Sequence, residues 1–404
     1  MTTDYDIITV GGGLGGSALA KAMAERGYRV LVVERETQFK DRVRGEFMSP
    51  WGVAEAKTLG IYDTLMATGG YHPTVFDARV GPAAIGERDL AQTTPQETHA
   101  LTMYHPELQD VLLGAAEAAG ATIRRGVRVT GVTPGQEPSL SIGGDAGNET
   151  TTARLVVGAD GRQSSVRKWA GFEVTYETLG LQLGGVLMDG MTGVDDRSVM
   201  VFNPFVQRMA LIFPQGNGRA RVYFGNRADE GFRPQGDKDV PRFIGECIKT
   251  GSPAEFYEGA QAAGPLATFP GIYDCVEHPY REGVALVGDA AHTIHPLAGQ
   301  GANLGLLDCA CLVEVLSGAI AADEDWTGLR VLRRYERWRR SENALMMSVV
   351  DGLNRLFGAE NPAIASLRRL GMSMVAQQSF LRRALTEHAL GVRGDVPQLV
   401  RGAA

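Results

Sequence analysis

The spacing of apolar and polar positions changes several times along the chain, and each change marks a new element. Tyr5 to Val10 (YDIITV) is a short, β-branched apolar run, as a buried strand requires. Leu14 to Arg26 is alanine-rich and breaks at Gly27, which predicts a helix with glycine at its C-terminal stop. Arg29 to Val33 is a second apolar run, and Glu34 follows it directly. Pro50 to Leu65 reads as a helix ending near Gly60, with a turn beyond. Strands are expected at Val75–Val80 and His99–Tyr104, with polar, glycine-bearing sequence between them. A helix at Glu107–Ala119 leads to a strand pair in Ala121–Val132 that would complete the first sheet. A polar hairpin over Gly135–Thr152 and a buried strand at Leu155–Ala159 end this region.

From Gly180 to Arg227 the pattern becomes an antiparallel meander. Its strands are Leu183–Met188, Val199–Asn203, Met209–Phe213 and Ala220–Gly225, separated by turn residues that include Asn217-Gly218. Asp239–Ile248 reads as a helix, Leu266–Tyr273 as a strand, and Val284–Val287 as a buried strand returning to the first sheet. From Asn303 to Val392 the chain reads as almost wholly helical, broken at Asn361-Pro362. The fold class is therefore α/β: a Rossmann-like domain with a parallel sheet, an inserted antiparallel sheet and C-terminal helices.

Chemistry enters with Gly11, Gly13 and Gly16, which stand at G-x-G-x-x-G spacing between the first strand and its helix. The first glycine allows the tight turn, the second lets backbone approach a pyrophosphate, and the third lets helix and strand pack closely. The helix N-terminus, opening with Leu14 and Gly15, offers unpaired N–H groups to phosphate. Glu34 stands where a carboxylate accepts hydrogen bonds from an adenosine ribose, which favours FAD or NAD over NADP.

Composition narrows the rest. The chain has 404 residues, 44% hydrophobic and 22% charged, enough for two joined domains with a large core. A net charge of −7 gives no overall attraction to nucleic acid. Cys247, Cys275, Cys309 and Cys311 show no disulfide or metal spacing and read as buried thiols in a reducing, cytoplasmic setting. No signal peptide is recognisable and no run of eighteen apolar residues exists, so no transmembrane segment is expected. The arginines at 330, 333, 334, 337, 339 and 340 interleave with Glu336 and Glu342 and read as a solvated helix face, with attraction to a membrane surface the alternative. His292 and His295 have no third ligand nearby, so no metal is expected. Met346, Met347, Met372 and Met374 read as core filler or as the lining of a lipophilic channel.

Three separated motifs are present in order: GGGLGG with Glu34, GADGRQSSVR at 158–167, and GDAAHTIHPLAGQGANLGLLD at 288–308. Together they resemble the FAD-dependent class A aromatic monooxygenases, the para-hydroxybenzoate hydroxylase-like superfamily, over about residues 5 to 310. The tail RRYERWRRSENALMMSVVDGLNRLF is similar to the ubiquinone-biosynthesis hydroxylase branch.

The resemblance implies that Asp289 binds the ribityl hydroxyls of FAD and that Pro296 sits against the flavin ring. It further implies that Gly299, Gln300, Gly301 and Ala302 present N–H groups to the flavin N1–C2 edge. Asp160, with Gly161 and Arg167, would serve FAD and a transient NADH or NADPH. Arg35 follows Glu34 at the adenosine end, Arg44 would contact FAD near its ring, and Val129 the adenine. The family's frequent arginine before the 107-helix is His105 here, and the W-x-W-x-I-P signature of flavin halogenases is absent. The implied reaction is NAD(P)H-driven hydroxylation or epoxidation of an aromatic or lipophilic small molecule by O₂, through a flavin C4a-hydroperoxide. A phenolic substrate needs a base, and Tyr223 on a meander strand is the pocket candidate, with core packing as its other reading.

The implied domains are residues 1–70, 105–175 and 281–325 for FAD, 71–104 and 176–280 for substrate, and 326–404 as a helical region. The alternatives are a non-oxygenating FAD oxidoreductase of the polyprenyl reductase kind, and a flavin-binding regulator without turnover.

Overall fold

The computed structural model describes residues 3–43, 45–94, 96–144, 147–294 and 299–358. Arg44, His295, Pro296, Met372, Met374 and the expected break at Asn361-Pro362 lie outside them, as do the side chains of Met346 and Met347.

The first strand, β1 (Tyr5–Val10), feeds the glycine turn and then α1 (Leu14–Ala24), which returns to β2 (Val30–Glu34). A two-residue strand β3 (Phe47–Met48), helices α2 (Pro50–Thr58) and α3 (Tyr62–Ala67) follow, so the predicted 50–65 helix is split at Leu59-Gly60. The polar, glycine-bearing stretch between 80 and 99 contains β5 (Ala83–Arg88) after β4 (Val75–Val80), and a short α4 (Leu90–Thr93) capped by Asp89. The expected strand at 99–104 shrinks to β6 (Leu101–Thr102). Then come α5 (His105–Ala118), β7 (Thr122–Arg125), β8 (Arg128–Thr133), β9 (Ser139–Gly144), β10 (Gly147–Gly158) and α6 (Ser165–Trp169).

The strand pair expected over 121–132 divides. Only β7 joins the parallel sheet, beside β2. β8 pairs with β9 instead, and β9 with the first half of β10. The second half of β10 runs parallel between β1 and β18 (Val284–Leu286). The hairpin arm and the buried strand read from sequence are thus one continuous strand that passes from ribbon to sheet.

Alternation along these strands sorts two cores. Ile7, Val30, Val32, Leu155 and Val157 face the helices, while Ile8, Val10, Leu31, Val33 and Val156 face the β8–β9 ribbon and α6.

The second sheet is built from β11 (Val174–Asp189), β12 (Arg197–Asn203), β13 (Arg208–Gly216), β14 (Arg219–Arg227), β15 (Gln261–Ala262) and β16 (Ala267–Val276), joined by β4 and β5. It is antiparallel except that β4 lies parallel to β12. One face packs on α7 (Val240–Thr250) through Val186, Val222, Phe224 and Phe243. The other face carries Leu183, Leu211, Phe213 and Tyr223 towards the first sheet. Short strands β17 (Tyr280–Arg281) and β19 (His292–Thr293) flank the return of the chain, and β19 pairs with β16.

The chain continues as α8 (Gly301–Ala321) and α9 (Leu329–Gly358). By length and mean hydropathy of 1.9, α8 is apolar enough to cross a membrane, which the sequence count missed; 67% of that window is buried inside the protein, as in a core helix. Of the arginines read as a solvated face, Arg339 is buried and Arg334 pairs with Glu324. The face of α9 carrying Val331, Leu332, Tyr335 and Arg339 is turned inward, at helical spacing.

Glu55 on α2 is fully buried, and neither carboxylate oxygen has a hydrogen-bond partner among the described residues. Burial pushes its carboxyl up to about 8, with Arg339 opposing. A raised folded value means the native state keeps a proton that the unfolded chain releases from the ordinary value of 4.5 upward. Stability therefore falls as pH rises between those values. Glu55→Gln is expected to flatten that limb and to gain about 1–3 kcal/mol near pH 9. Melting temperature against pH checks this, and parallel curves for the two proteins would contradict it.

Candidate cofactor and substrate site

The three motifs converge because each follows the C-terminal end of a neighbouring parallel strand. The glycine turn follows β1, Glu34 ends β2, Ala159-Asp160-Gly161 follows β10, and Gly288-Asp289 follows β18. β1 lies between β2 and β10, so the connections leave it in opposite directions and open a crevice at the strand ends.

The glycines behave as their spacing demands. Gly11 has φ +104°, and a Cβ there would overlap the carbonyl of Ala159. A Cβ on Gly16 would overlap the carbonyl of Gly11. Gly13 has ordinary backbone angles and its nearest neighbour to an added Cβ is Gln109, at 3.5 Å. Its space is therefore kept for something other than protein. Glu34 is buried, accepting from the Gly12 N–H at 2.7 Å and the Glu36 N–H at 2.8 Å, so it holds the turn. Each of its oxygens retains a lone pair for a further donor.

A cavity of about 290 Å³ runs from this turn to the second sheet. At one end it is lined by Gly13, Leu14, Gly15 and Gly16, by Gly161 and Arg162, and by Gly288 and Asp289. Gly299, Gly301 and Ala302, opening α8, complete that end. The N-termini of α1 and α8 thus both open on it. At the other end the walls are Phe47, Leu183, Leu211, Phe213, Phe269 and Ile294, with Glu46, Tyr223, Thr293 and His105 among the polar members of the lining. The residues fit FAD: two helix N-termini for anionic groups, a carboxylate at the ribose position, and glycines where side chains would fill the crevice.

Not every expected residue reaches the cavity. Asp160 turns its carboxylate to the Ser164 hydroxyl at 2.5 Å and the Ser165 N–H at 2.6 Å, capping α6; its neighbours Ala159, Gly161 and Arg162 line the cavity. Arg167 pairs with Asp274 at 3.2 Å. Arg35 is exposed beside Glu36, and Arg42 pairs with Glu36 at 2.6 Å. Val129 packs with the β8–β9 ribbon core. Gln300 is fully buried just before α8. His105 lines the cavity with Nδ1 3.1 Å from the Gly45 carbonyl oxygen. No metal-holding group exists among the described residues, and His292 binds Asp308 instead.

Two charged clusters were missed by sequence reasoning. In the first, Asp308 of α8 is fully buried and accepts from the Gly288 N–H at 2.9 Å, His292 Nε2 at 2.7 Å and Arg339 Nε at 2.7 Å. These bonds and charges hold its carboxyl well below the usual range, although burial alone acts the other way. Asp308 thereby fixes the turn that presents Asp289. Asn303, also buried, accepts from the Ser49 N–H at 2.9 Å and donates to the Gly299 carbonyl at 3.1 Å, tying α2 to the start of α8. An acid deep in a mostly apolar helix was the available signal.

In the second cluster Arg221, fully buried, donates from Nε to Glu46 at 2.8 Å and from Nη2 to Asp41 at 2.7 Å. Tyr223 donates to the other Glu46 oxygen at 2.8 Å. An arginine and a tyrosine two apart on an apolar strand share a face, which was legible; their partners in the loop after β2 were not. That loop is strained at Val43, a buried β-branched residue with φ +56°.

Residues 4–348 match the family described as FAD binding domain. The chain is 31% identical to a ubiquinone hydroxylase of Rhodospirillum rubrum, covering 98% of this chain and 92% of that protein. It is 30% identical to the 3-demethoxyubiquinol 3-hydroxylase of Escherichia coli, covering 96% and 98%. A p-nitrophenol 4-monooxygenase from Pseudomonas putida has the same fold, with a TM-score of 0.81 at 23% identity over 98% of this chain and 99% of that one.

Proposed function

We propose that this chain, which belongs to the FAD-binding domain family of aromatic monooxygenases and to its ubiquinone-hydroxylase branch, hydroxylates a lipophilic, hydroxyl-bearing aromatic ring at the expense of NADH or NADPH. It is an FAD-dependent monooxygenase. The observation that carries the substrate reading is a cavity joining a glycine-lined end to an apolar, aromatic-walled end.

The residues divide the work as follows. Gly11 to Gly16 and the N-terminus of α1 hold the pyrophosphate, and Glu34 the adenosine ribose, with Arg35 and Val129 at the adenine end. Asp289 takes the ribityl chain. Gly299, Gln300, Gly301 and Ala302 turn N–H groups to the flavin's pyrimidine edge, where the α8 dipole favours negative charge. Asp160 acts indirectly, by fixing the turn whose Gly161 and Arg162 line the cavity. FAD, when bound, supplies the electron transfer from NAD(P)H and the activation of O₂. Phe47, Leu183, Leu211, Phe213 and Phe269 exclude water and hold the substrate ring. On this reading residues 1–70, 105–175 and 281–325 serve the cofactor, 71–104 and 176–280 the substrate, and the enzyme works in the cytoplasm.

The test is a stimulation screen on purified protein with quinols, phenols and polycyclic phenols. NAD(P)H-dependent oxygen uptake and a product heavier by one oxygen atom are expected. NAD(P)H oxidation with no oxygen uptake would favour the reductase alternative.

A further inference from the structure

The first turnings of β11 are built unlike the rest of the second sheet. Residues 174–178 pair on one side only, with residues 272–276 of β16. On the other side β14 stops at Arg227, opposite Leu181, and among the described residues no strand takes its place. Every residue of 173–178 is exposed, Val174 at 39% and Tyr176 at 59%. The segment holds neither proline nor lysine, the usual guards of a free sheet edge.

The direction of its backbone groups follows from the far side of β16. The Val276 N–H donates to the Ala291 carbonyl at 2.8 Å, away from β11. Val276 and Val174, which stand opposite each other, therefore form a pair without mutual hydrogen bonds. Alternation turns Thr175 and Glu177 towards β16 and leaves the N–H and C=O groups of Val174, Tyr176 and Thr178 pointing outward. Side chains alternate too: Val174 and Tyr176 lie on one face, Glu173 and Glu177 on the other. Neither glutamate has a cationic partner among the described residues.

We propose that this edge docks a partner protein by strand addition, taking an extended segment that alternates apolar and cationic side chains. Open ladder groups select an extended backbone, Val174 and Tyr176 select apolar neighbours, and the two carboxylates select lysine or arginine. A second copy of the chain fits less well. Antiparallel pairing of two copies about Thr175 sets Glu173 against Glu177 across the junction, like charges directly opposite. The docked segment lies one strand from the cavity wall, because Thr178 stands opposite Ile272, which lines it. The proposal is independent of which ring the enzyme oxidises.

The experiment uses the FAD-loaded protein and a fluorescein-labelled peptide that alternates lysine with valine and tyrosine. Saturable binding is expected, with hydrogen exchange at the Val174, Tyr176 and Thr178 amides slowed about tenfold or more. The Thr175 and Glu177 amides, already turned to β16, should change little. The same peptide methylated on its strand-facing amides keeps every charge and should bind about tenfold more weakly. Glu173→Lys combined with Glu177→Lys should also weaken binding about tenfold, and should favour a peptide carrying glutamate in place of lysine. Tyr176→Pro removes an outward N–H and no bond to β16, and should weaken binding to a similar degree. Melting temperature and flavin content show whether each variant is folded, and the charge-reversed protein serves if Tyr176→Pro is not. Equal binding of the methylated peptide reduces the effect to charge attraction and overturns the proposal, as does absence of binding or of amide protection. Self-association that protects the same amides without peptide gives the edge to a second copy and overturns its assignment to a partner protein.

Discussion

Asp308→Ala is expected to lower the stability of the cofactor-free protein by about 3–5 kcal/mol, because it strands a buried arginine. Arg339 is 2% exposed, and its Nε has Asp308 as partner. Its other bond among the described residues, from Nη2 to Asn343 at 2.6 Å, does not neutralise the charge. The same substitution frees the Gly288 N–H and His292. FAD affinity should fall with stability, since the turn bearing Asp289 loses its anchor. Denaturant unfolding and flavin content measure the two losses separately. The double variant Asp308→Leu with Arg339→Met removes both charges and should recover most of the stability but little of the affinity. The pH dependence has a definite sign. A carboxyl held below its unfolded value of 3.8 contributes stability that is present above that pH and lost as the solution is acidified further. The acid limb should shrink in the single variant. An Asp308→Ala protein that melts like wild type would show the cluster to be energetically idle.

Gly16→Ala and Gly13→Ala should separate packing from binding, although the two residues are three apart on one turn. At Gly16 the new methyl meets the Gly11 carbonyl, and Thr9 and Ala159 lie close behind at 3.1 and 3.2 Å. Thr9 lies in β1, and Gly11 and Ala159 directly follow β1 and β10, so the neighbours are held by the buried sheet and α1 must lift. A stability loss of about 2–3 kcal/mol is expected, with loss of bound FAD. At Gly13 the methyl meets nothing closer than 3.5 Å, and the backbone already suits alanine. The cofactor-free protein should therefore keep its melting temperature, while FAD binding weakens about 100-fold, or roughly 2.7 kcal/mol. Titration of cofactor-free protein with FAD, beside its melting curve, decides the matter. Equal stability losses in the two variants would mean that the crevice is not where the cofactor lies.

The sequence disclosed what is local. Each glycine role at 11, 13 and 16 follows from a turn between adjacent elements, and the convergence of three motifs follows from strands that end in the same direction. The second sheet was legible as strands but not as a surface. Which face of β13 and β14 meets the cavity depends on register, and β4 pairs parallel to β12 across more than a hundred residues. The charged clusters were hidden for the same reason. Glu46 and Tyr223 are 177 positions apart, and Arg339 was lost in a run of arginines that otherwise face water. Asp160 differs in another way: the motif named the residue, but not that its carboxylate caps the helix it precedes.

The order of strands in the first sheet has a consequence for how the protein is made. β1 leaves the ribosome first, but its neighbour β10 follows only after residue 147, and β18, beyond β10, after residue 284. The buried helix that closes the crevice ends at Ala321. A nascent chain that stops short of the start of α8 lacks one wall of the pocket, however much of its length has emerged. Flavin binding is then expected only once the start of α8 has emerged, and a product truncated before Gly301 is expected to be colourless rather than partly active.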